Sequence, residues 1–464
     1  MIVTFKNIGA IKEAKIDLSK KLTIFCGPNN TGKTYLAYCI YALNKIIFSH
    51  IYSDFIIKDL QELYSKSKTS VNIFEIYKEY KNEIKEIIKK YFVNELPRTF
   101  GLDKILIEKI FPNSSIDLEF DDDITVEDLI VNSLINGKIG YGNDITVDFN
   151  KSNQSQNVDI IITSKDSQFD NDFKIFLNSV ISSYIIEIII KSFLHSSYIA
   201  PVERNSIFTF SRELSLKRNI LVDEMLEMKS EKLKDPYDLL ERRATRYPMP
   251  VRDGLEISED LVNYKKRDSE YAFFANTIEE TVLDGKVQIS KDGEVVFLPN
   301  KAKNAKLPIH LSGSIVKSLS SLIIYFRHLA QKGDLIIFDE PELNLHPDAQ
   351  IIVTRIIAKI MNHGFKVLVN THSDYIIREL NNLIMLSKLE NELESLTQEY
   401  GYTKDNMINH KDVGAYLFNF NNKTKVSVKN LPVSEDGFEV ESIDKVINDL
   451  NSRSQNLYFR LKGM

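Results

Sequence analysis

The chain of 464 residues carries 59 basic and 65 acidic side chains, a formal net charge of −6 and a pI near 5.9. A dedicated nucleic-acid binder is usually basic, so any contact with DNA has to come from a local patch. A hydrophobic content of 43% can fill a large core, and the length fits two or three lobes. The only cysteines, Cys26 and Cys39, form no disulfide framework and read as reduced, buried thiols of a cytoplasmic protein.

In chain order, "MIVTFKNIGAIKEAKIDL" alternates like a pair of strands turning at Gly9 and lacks a signal-peptide layout. A third strand, "KLTIFC", runs into "GPNNTGKT" (Gly27 to Thr34) and then into the helical "KTYLAYCIYALNKII". Residues 51–195 read as an inserted lobe. It opens with amphipathic helices ("DFIIKDLQELYSK", "IFEIYKEYKNEIKEIIKKYF") and continues into the alternating stretches "DITVDFN" and "VDIIITS", a meander with a polar tip. The apolar run from Phe173 to Leu194 is long enough for a bilayer. Lys174, Glu187, Lys191 and the Ser182–Ser183 pair argue instead for a buried helix, so no membrane contact is expected.

Farther on, Arg242, Arg243, Arg246 and Arg252 form a basic stretch that Asp238, Glu241 and Asp253 nearly balance. "DGKVQISKDGEVVFLPN" reads as a β-hairpin turning at "KDG". A helix from "LSGSIVKS", the strand "DLIIFDE", a helix starting at Pro347, the strand "KVLVNTHS" and a helix through "DYIIRELNNLIML" come next. Leu386, Leu389, Leu393 and Leu396 then recur at helical spacing, ahead of the strands "VGAYLFNF" and "KTKVSVKN" and a final helix from Ser442. The expected organisation is a discontinuous head over 1–50 and 196–425, the lobe over 51–195, and a C-terminal strand–helix segment over 426–464.

Three motifs carry chemistry. In G-x-x-x-x-G-K-T, Gly27 and Gly32 allow backbone amides to turn inward around phosphates, with Asn29, Asn30 and Thr31 completing the loop. Lys33 is placed for the β- and γ-phosphates of ATP and the Thr34 hydroxyl for Mg²⁺. In "DLIIFDEPE" a buried parallel strand ends in Asp339, suited to the Mg²⁺ shell, and Glu340, suited to polarise an attacking water. In "VLVNTHSDYI" the next strand ends near His372, a candidate γ-phosphate sensor.

Together these motifs resemble the ABC-type ATPase family. The resemblance lies with the branch of SMC-like proteins and of the stand-alone overcoming-lysogenization-defect (OLD) ATPases, to which "PELNLHPDAQ" is similar. It implies an α/β fold, a P-loop head of ABC type with a mixed sheet and an antiparallel N-terminal part, carrying an inserted, mostly helical lobe. It also implies a site completed in trans: "LSGSIVKS" looks like the family's signature segment, so Ser312, Gly313 and Ser314 of one copy would face the phosphates held by another. That segment departs from "LSGGQ" at Ser314 and Ile315. Glu203 and Arg204, in "YIAPVERNSIFTFSREL", stand where a glutamine loop would link nucleotide site and lobe, although no glutamine is present.

Lys33 and Asp339 lie some three hundred positions apart, an insertion of the SMC-like kind. The lobe lacks sustained heptads, which excludes a long coiled-coil arm. The stretch after His372 holds no acid set for a TOPRIM-type nuclease, and the eight histidines form no metal-ligand cluster. By resemblance, the chain is expected to be an ATP-hydrolysing, Mg²⁺-dependent sensor subunit of a prokaryotic anti-phage defence pair. It would be a homodimer or higher homo-oligomer, with the effector, a nuclease or toxin, on a separate polypeptide. The alternative is an SMC-like DNA-maintenance ATPase that touches DNA directly through the arginine-rich stretch.

Overall fold

The structure is a computed structural model and describes residues 1–45, 57, 67–121, 123–132, 135–141, 145–164, 171–210, 247–302, 305–422 and 424–462. The chain divides into two compact units. One comprises Met1–Thr4, Ala42–Glu95 and Ser115–Ser196; the other comprises Phe5–Tyr41, Leu96–Ser114 and Ser197–Met464. Residues 96–114 of the expected lobe thus count with the second unit.

The strands up to the second unit's central block are β1 (Ile2–Ile8), β2 (Ile11–Asp17), β3 (Leu22–Cys26), β4 (Lys68–Asn72), β5 (Ser115–Glu119), β6 (Ile135–Tyr141), β7 (Ile145–Lys151) and β8 (Asn157–Ser164). They continue as β9 (Ser197–Ala200), β10 (Gly285–Ile289), β11 (Val295–Pro299), β12 (Leu307–Pro308), β13 (Leu335–Asp339), β14 (Lys366–Asn370), β15 (Val413–Asn422) and β16 (Lys425–Leu431).

In the first unit the alternating stretches do form a meander, an antiparallel sheet in the order β4-β8-β7-β6. Its period of two turns Val147 and Phe149 of β7, and Val158, Ile160 and Ile162 of β8, into the interior. The helix Asn171–Phe193 has the length and composition to cross a membrane, and 61% of its apolar window is buried inside the protein. Its Glu187 is buried and paired with Lys191, and its Phe193 stacks on Phe120 at 4.8 Å between ring centroids. Those are the properties of a core helix.

In the second unit eight strands lie in the order β1-β2-β16-β15-β3-β14-β13-β9, β1 contributing from Phe5 on. The neighbours from β15 to β9 are all parallel, β16 is antiparallel to β15, and β2 is parallel to β16. This is the mixed sheet of the expected α/β fold. Every residue of β3, β9 and β13 is buried, as strands covered by helices on both faces require. Strand β16, expected in a separate C-terminal segment, is a member of this sheet. Phe326, on the helix Ser314–His328, anchors the core between Phe274 and Phe365 at 5.0 and 5.9 Å.

The "KDG" turn closes the hairpin β10–β11 as expected, with Gly293 at φ 80° and Ser290 Oγ accepting from the Glu294 amide. Pro347 is the first residue of its helix, Pro347–Asn362. The expected leucine-striped helix is broken instead. Leu386 ends the helix Asp374–Leu386, a tight turn intervenes, and a new helix runs from Leu393 to Tyr400. Leu393 and Leu396 still pack on the core, whereas Leu389 is 40% exposed. The stripe merges the ends of two elements. The amphipathic "DFIIKDLQELYSK", Ile57 apart, and the arginines Arg242, Arg243 and Arg246 lie outside the described residues.

Parallel register brings the carboxyl ends of three strands to one edge: Asp339 is opposite Asn370, and Asn370 is opposite Phe25, just before the phosphate loop. Gly27 opens that loop at φ 130°, and a Cβ there would collide with the backbone carbonyl of Phe418 on β15. Gly27→Ala is therefore expected to lower the calorimetric unfolding temperature of the nucleotide-free protein, by strain of about 1–3 kcal/mol or more. Gly140→Ala, where a Cβ meets nothing within 4 Å, should leave it nearly unchanged.

Candidate functional site

The first turn of the helix Lys33–Leu43 continues directly from the loop, so its amides and the Lys33 and Thr34 side chains face the cleft at the strand ends. The cleft, about 490 Å³, is lined by Asn29, Asn30, Thr31, Gly32, Lys33 and Thr34, by Glu340 and His372, and by Ala10 and Tyr35. Gly32 at φ 85° and Asn30 at φ 61° supply the left-handed conformations that turn the loop. Thr31 braces it from inside, its hydroxyl donating to the Pro28 carbonyl at 2.9 Å.

Lys33 is buried and curls back on its own loop, donating to the carbonyls of Gly27 at 2.9 Å and Pro28 at 2.7 Å. Burial pushes its ammonium down to about 8, opposed first by the charge of Glu340. His372 bridges the same loop to the acid: Nδ1 is 2.9 Å from the Gly27 carbonyl, and Nε2 is 3.3 Å from Glu340 Oε1. Both partners are acceptors, so the two oxygens compete for the ring's N–H. The hydrogen bond from His372 holds the Glu340 carboxyl below its ordinary range, against the opposing effect of burial.

Asp339 sits beneath the cleft, fully buried. Its Oδ1 accepts from the Thr34 hydroxyl at 3.2 Å and from the Asn370 amide, while Oδ2 has no hydrogen-bond partner. Burial pushes its carboxyl up to about 7, against the Asn370 hydrogen bond. An orphaned, buried carboxylate oxygen beside a hydroxyl is a hard-oxygen set short of a positive partner. It fits a Mg²⁺ ion held by Thr34 and Asp339.

Three further residues build the site, and sequence reasoning gave them no role or a different one. Asn370 stands across from Asp339 in the parallel ladder, a placement that only strand register discloses. Glu342, the third acid of "DEPE", is partly buried and takes the His372 amide at 2.7 Å and the Thr371 hydroxyl at 2.9 Å, tying one strand end to the other. Arg204 makes no ion pair with Glu203, whose carboxylate accepts from Tyr38 at 3.4 Å. The Arg204 guanidinium, 3% exposed, donates instead to the carbonyls of Asp339 at 2.8 Å and Glu340 at 2.7 Å, and to Pro201 at 3.0 Å. It clamps the backbone where Glu340 adopts φ 51°, a left-handed conformation that a glutamate takes only under constraint.

Ser312, Gly313 and Ser314 are not part of the cleft lining. Gly313 occupies the N-cap of the helix Ser314–His328 without a side-chain cap, Ser312 Oγ donates to the Pro308 carbonyl at 3.3 Å, and the space beside Gly313 is open. Leu311, just before them, is 67% exposed. Of the basic stretch, Arg252 is described and lies 4.0 Å from Glu256, one turn away on the same helix.

No curated protein matches the chain by sequence. Among solved structures, an Smc head bound to the C-winged helix domain of ScpA is 12% identical, with coverage of 93% of this chain and 98% of that one and a TM-score of 0.36. The SMC head domain from Thermotoga maritima is 10% identical over 93% and 98%, with a TM-score of 0.33. Residues 1–377, which include the phosphate loop, the Asp339–Glu340 strand end and His372, match the AAA ATPase domain family. The chain belongs to the AAA ATPase domain family.

Proposed function

We propose that the chain binds and hydrolyses ATP with Mg²⁺, that ATP joins two copies through an ABC-type head, and that the pair is the sensor subunit of a prokaryotic anti-phage defence system. The observation that supports this most directly is the single cleft that unites the loop 27–34 with Asp339, Glu340 and His372 while leaving Ser312–Ser314 outside it. Those three residues open a helix whose first amides have no side-chain cap, next to an exposed leucine. A second copy's phosphates would give those amides their acceptors.

In this reading Lys33 leaves the Gly27 and Pro28 carbonyls for the phosphates, and Thr34 and Asp339 hold the metal. Mg²⁺, when bound, neutralises charge on the phosphate oxygens. Glu340 accepts the proton of the attacking water, and His372, anchored to Gly27, orients Glu340 and reports whether the γ-phosphate is present. Arg204 and Glu342 are positioning residues that keep the two strand ends in register. The defence role rests on the resemblance of "PELNLHPDAQ" to OLD-type ATPases. A sequence without a nuclease acid set favours an effector on another polypeptide. Recovering the native protein with its neighbours under ATP tests this part. A permease or housekeeping repair enzyme as the bound partner would sink it.

Glu340→Gln is expected to retain ATP binding and lose turnover by roughly 10²-fold or more, the scale of a lost general base. It should also accumulate an ATP-dependent dimer or larger species on size-exclusion chromatography. No change of size with ATP would refute the joined pair. Lys33→Ala should abolish nucleotide binding, read by equilibrium titration with a fluorescent ATP analogue. Arg204→Lys keeps the charge but loses the planar fork, so kcat should fall by about tenfold with KM changed by less than about threefold. A rise in KM alone would show that Arg204 serves binding instead.

A further inference from the structure

The helix Glu441–Lys462 ends the described chain and buries none of its residues. Only its first turns touch the body, where Ile443 packs against the core of the second unit. Beyond them Val446, Leu450, Leu457 and Leu461 are 65, 61, 68 and 82% exposed, and Tyr458 and Phe459 are exposed as well. Helices in proteins owe most of their stability to packing of an apolar face, so a stripe this exposed over five turns calls for a partner.

The stripe has the spacing of a two-helix seam. Ile443, Ile447, Leu450, Ser454, Leu457 and Leu461 succeed one another by alternate steps of four and three. The charges are divided along the axis. Residues 441–450 hold Glu441, Asp444 and Asp449 against Lys445 alone, whereas residues 451–462 hold Arg453, Arg460 and Lys462 and no acid. The centres of the two halves lie about 16 Å apart along the helix, beyond a Debye length of about 8–10 Å. Each half therefore acts on what lies beside it. This division also suits the helix dipole, but the dipole has no need of the apolar stripe.

We infer that the C-terminal helix pairs in antiparallel fashion with the same helix of a second copy. A parallel pair would set acidic half against acidic half, whereas the antiparallel pair sets each acidic half against a basic one. The seam closes on itself in that arrangement: Ile447 meets Leu457, Leu450 meets Ser454, and Leu461 comes opposite Ile443 at the root, which already packs against the second unit's core. Each contact occurs twice about a two-fold axis, as an isologous interface requires. This contact uses no residue of the nucleotide cleft and is independent of ATP.

Sedimentation equilibrium of the full chain without nucleotide is the first test. Reversible self-association is expected, weakened at least tenfold by Leu450→Glu, which replaces an exposed side chain and so leaves the fold intact. A monomer at all concentrations, or association indifferent to Leu450→Glu, would overturn the inference and leave the stripe to a different partner. Orientation is read by cross-linking, because the chain's own Cys26 and Cys39 are buried. A mixture of Ile447→Cys and Leu457→Cys chains should form a disulfide-linked dimer under mild oxidation. Either variant alone should not, since like positions in the antiparallel pair are about 15 Å apart along the axis. Efficient cross-linking of each variant with itself would show a parallel pair and overturn the arrangement.

Discussion

The buried carboxylate of Asp339 is the constraint around which the second unit is arranged. Its Oδ1 joins Thr34 of the loop helix to Asn370 of β14, and its backbone carbonyl is held by Arg204, which comes just after β9. Four chain segments far apart in sequence therefore meet on one residue that is fully shielded from water. A carboxylate in such a place is costly unless it is compensated, and Oδ2 has no hydrogen-bond partner. The parallel strands, the loop and the clamp hold in place a carboxylate oxygen that has no partner of its own.

The phosphate loop meets the same problem from the other side. Its inward carbonyls and amides need partners, and Lys33 and His372 both take the Gly27 carbonyl. Glu340, meanwhile, is held by His372 and not by solvent alone. The groups assigned to binding and to sensing thus share one backbone carbonyl, and the one assigned to proton transfer is held by the second of them. In the proposed function a phosphate in the cleft would compete for Lys33, whose release would leave the Gly27 carbonyl to His372.

Much of this was legible in the sequence. Local rules governed "GPNNTGKT", "LIIFD" and the "KDG" turn: glycine conformations, apolar runs that only a covered strand tolerates, and turn chemistry. The lining residues Lys33 and Thr34 followed from the phosphate-loop motif, and Glu340 and His372 from their positions at strand ends. Asn370, Glu342 and the clamp of Arg204 were not legible, because each acts through pairing across strands or on backbone carbonyls, and neither kind of contact has a spacing to read. The leucine stripe from Leu386 to Leu396 misled for a related reason. Helical periodicity survives a change of direction when both elements pack on one core, so the break is set by tertiary contacts.

The last strands matter to the site more than their position in the chain suggests. Strand β15 lies beside β3, so the Phe418 carbonyl is what requires glycine at position 27, and the Tyr416 hydroxyl accepts from the Asp17 amide at 2.8 Å. The link beyond β16 is also pinned: the Phe438 amide and carbonyl both bond to the Asn381 side chain, at 3.0 and 2.9 Å. Asn381 lies on the helix Asp374–Leu386, whose N-cap, Ser373, is the residue after His372. The exposed C-terminal helix is thus fastened near its root to the helix that begins just behind His372.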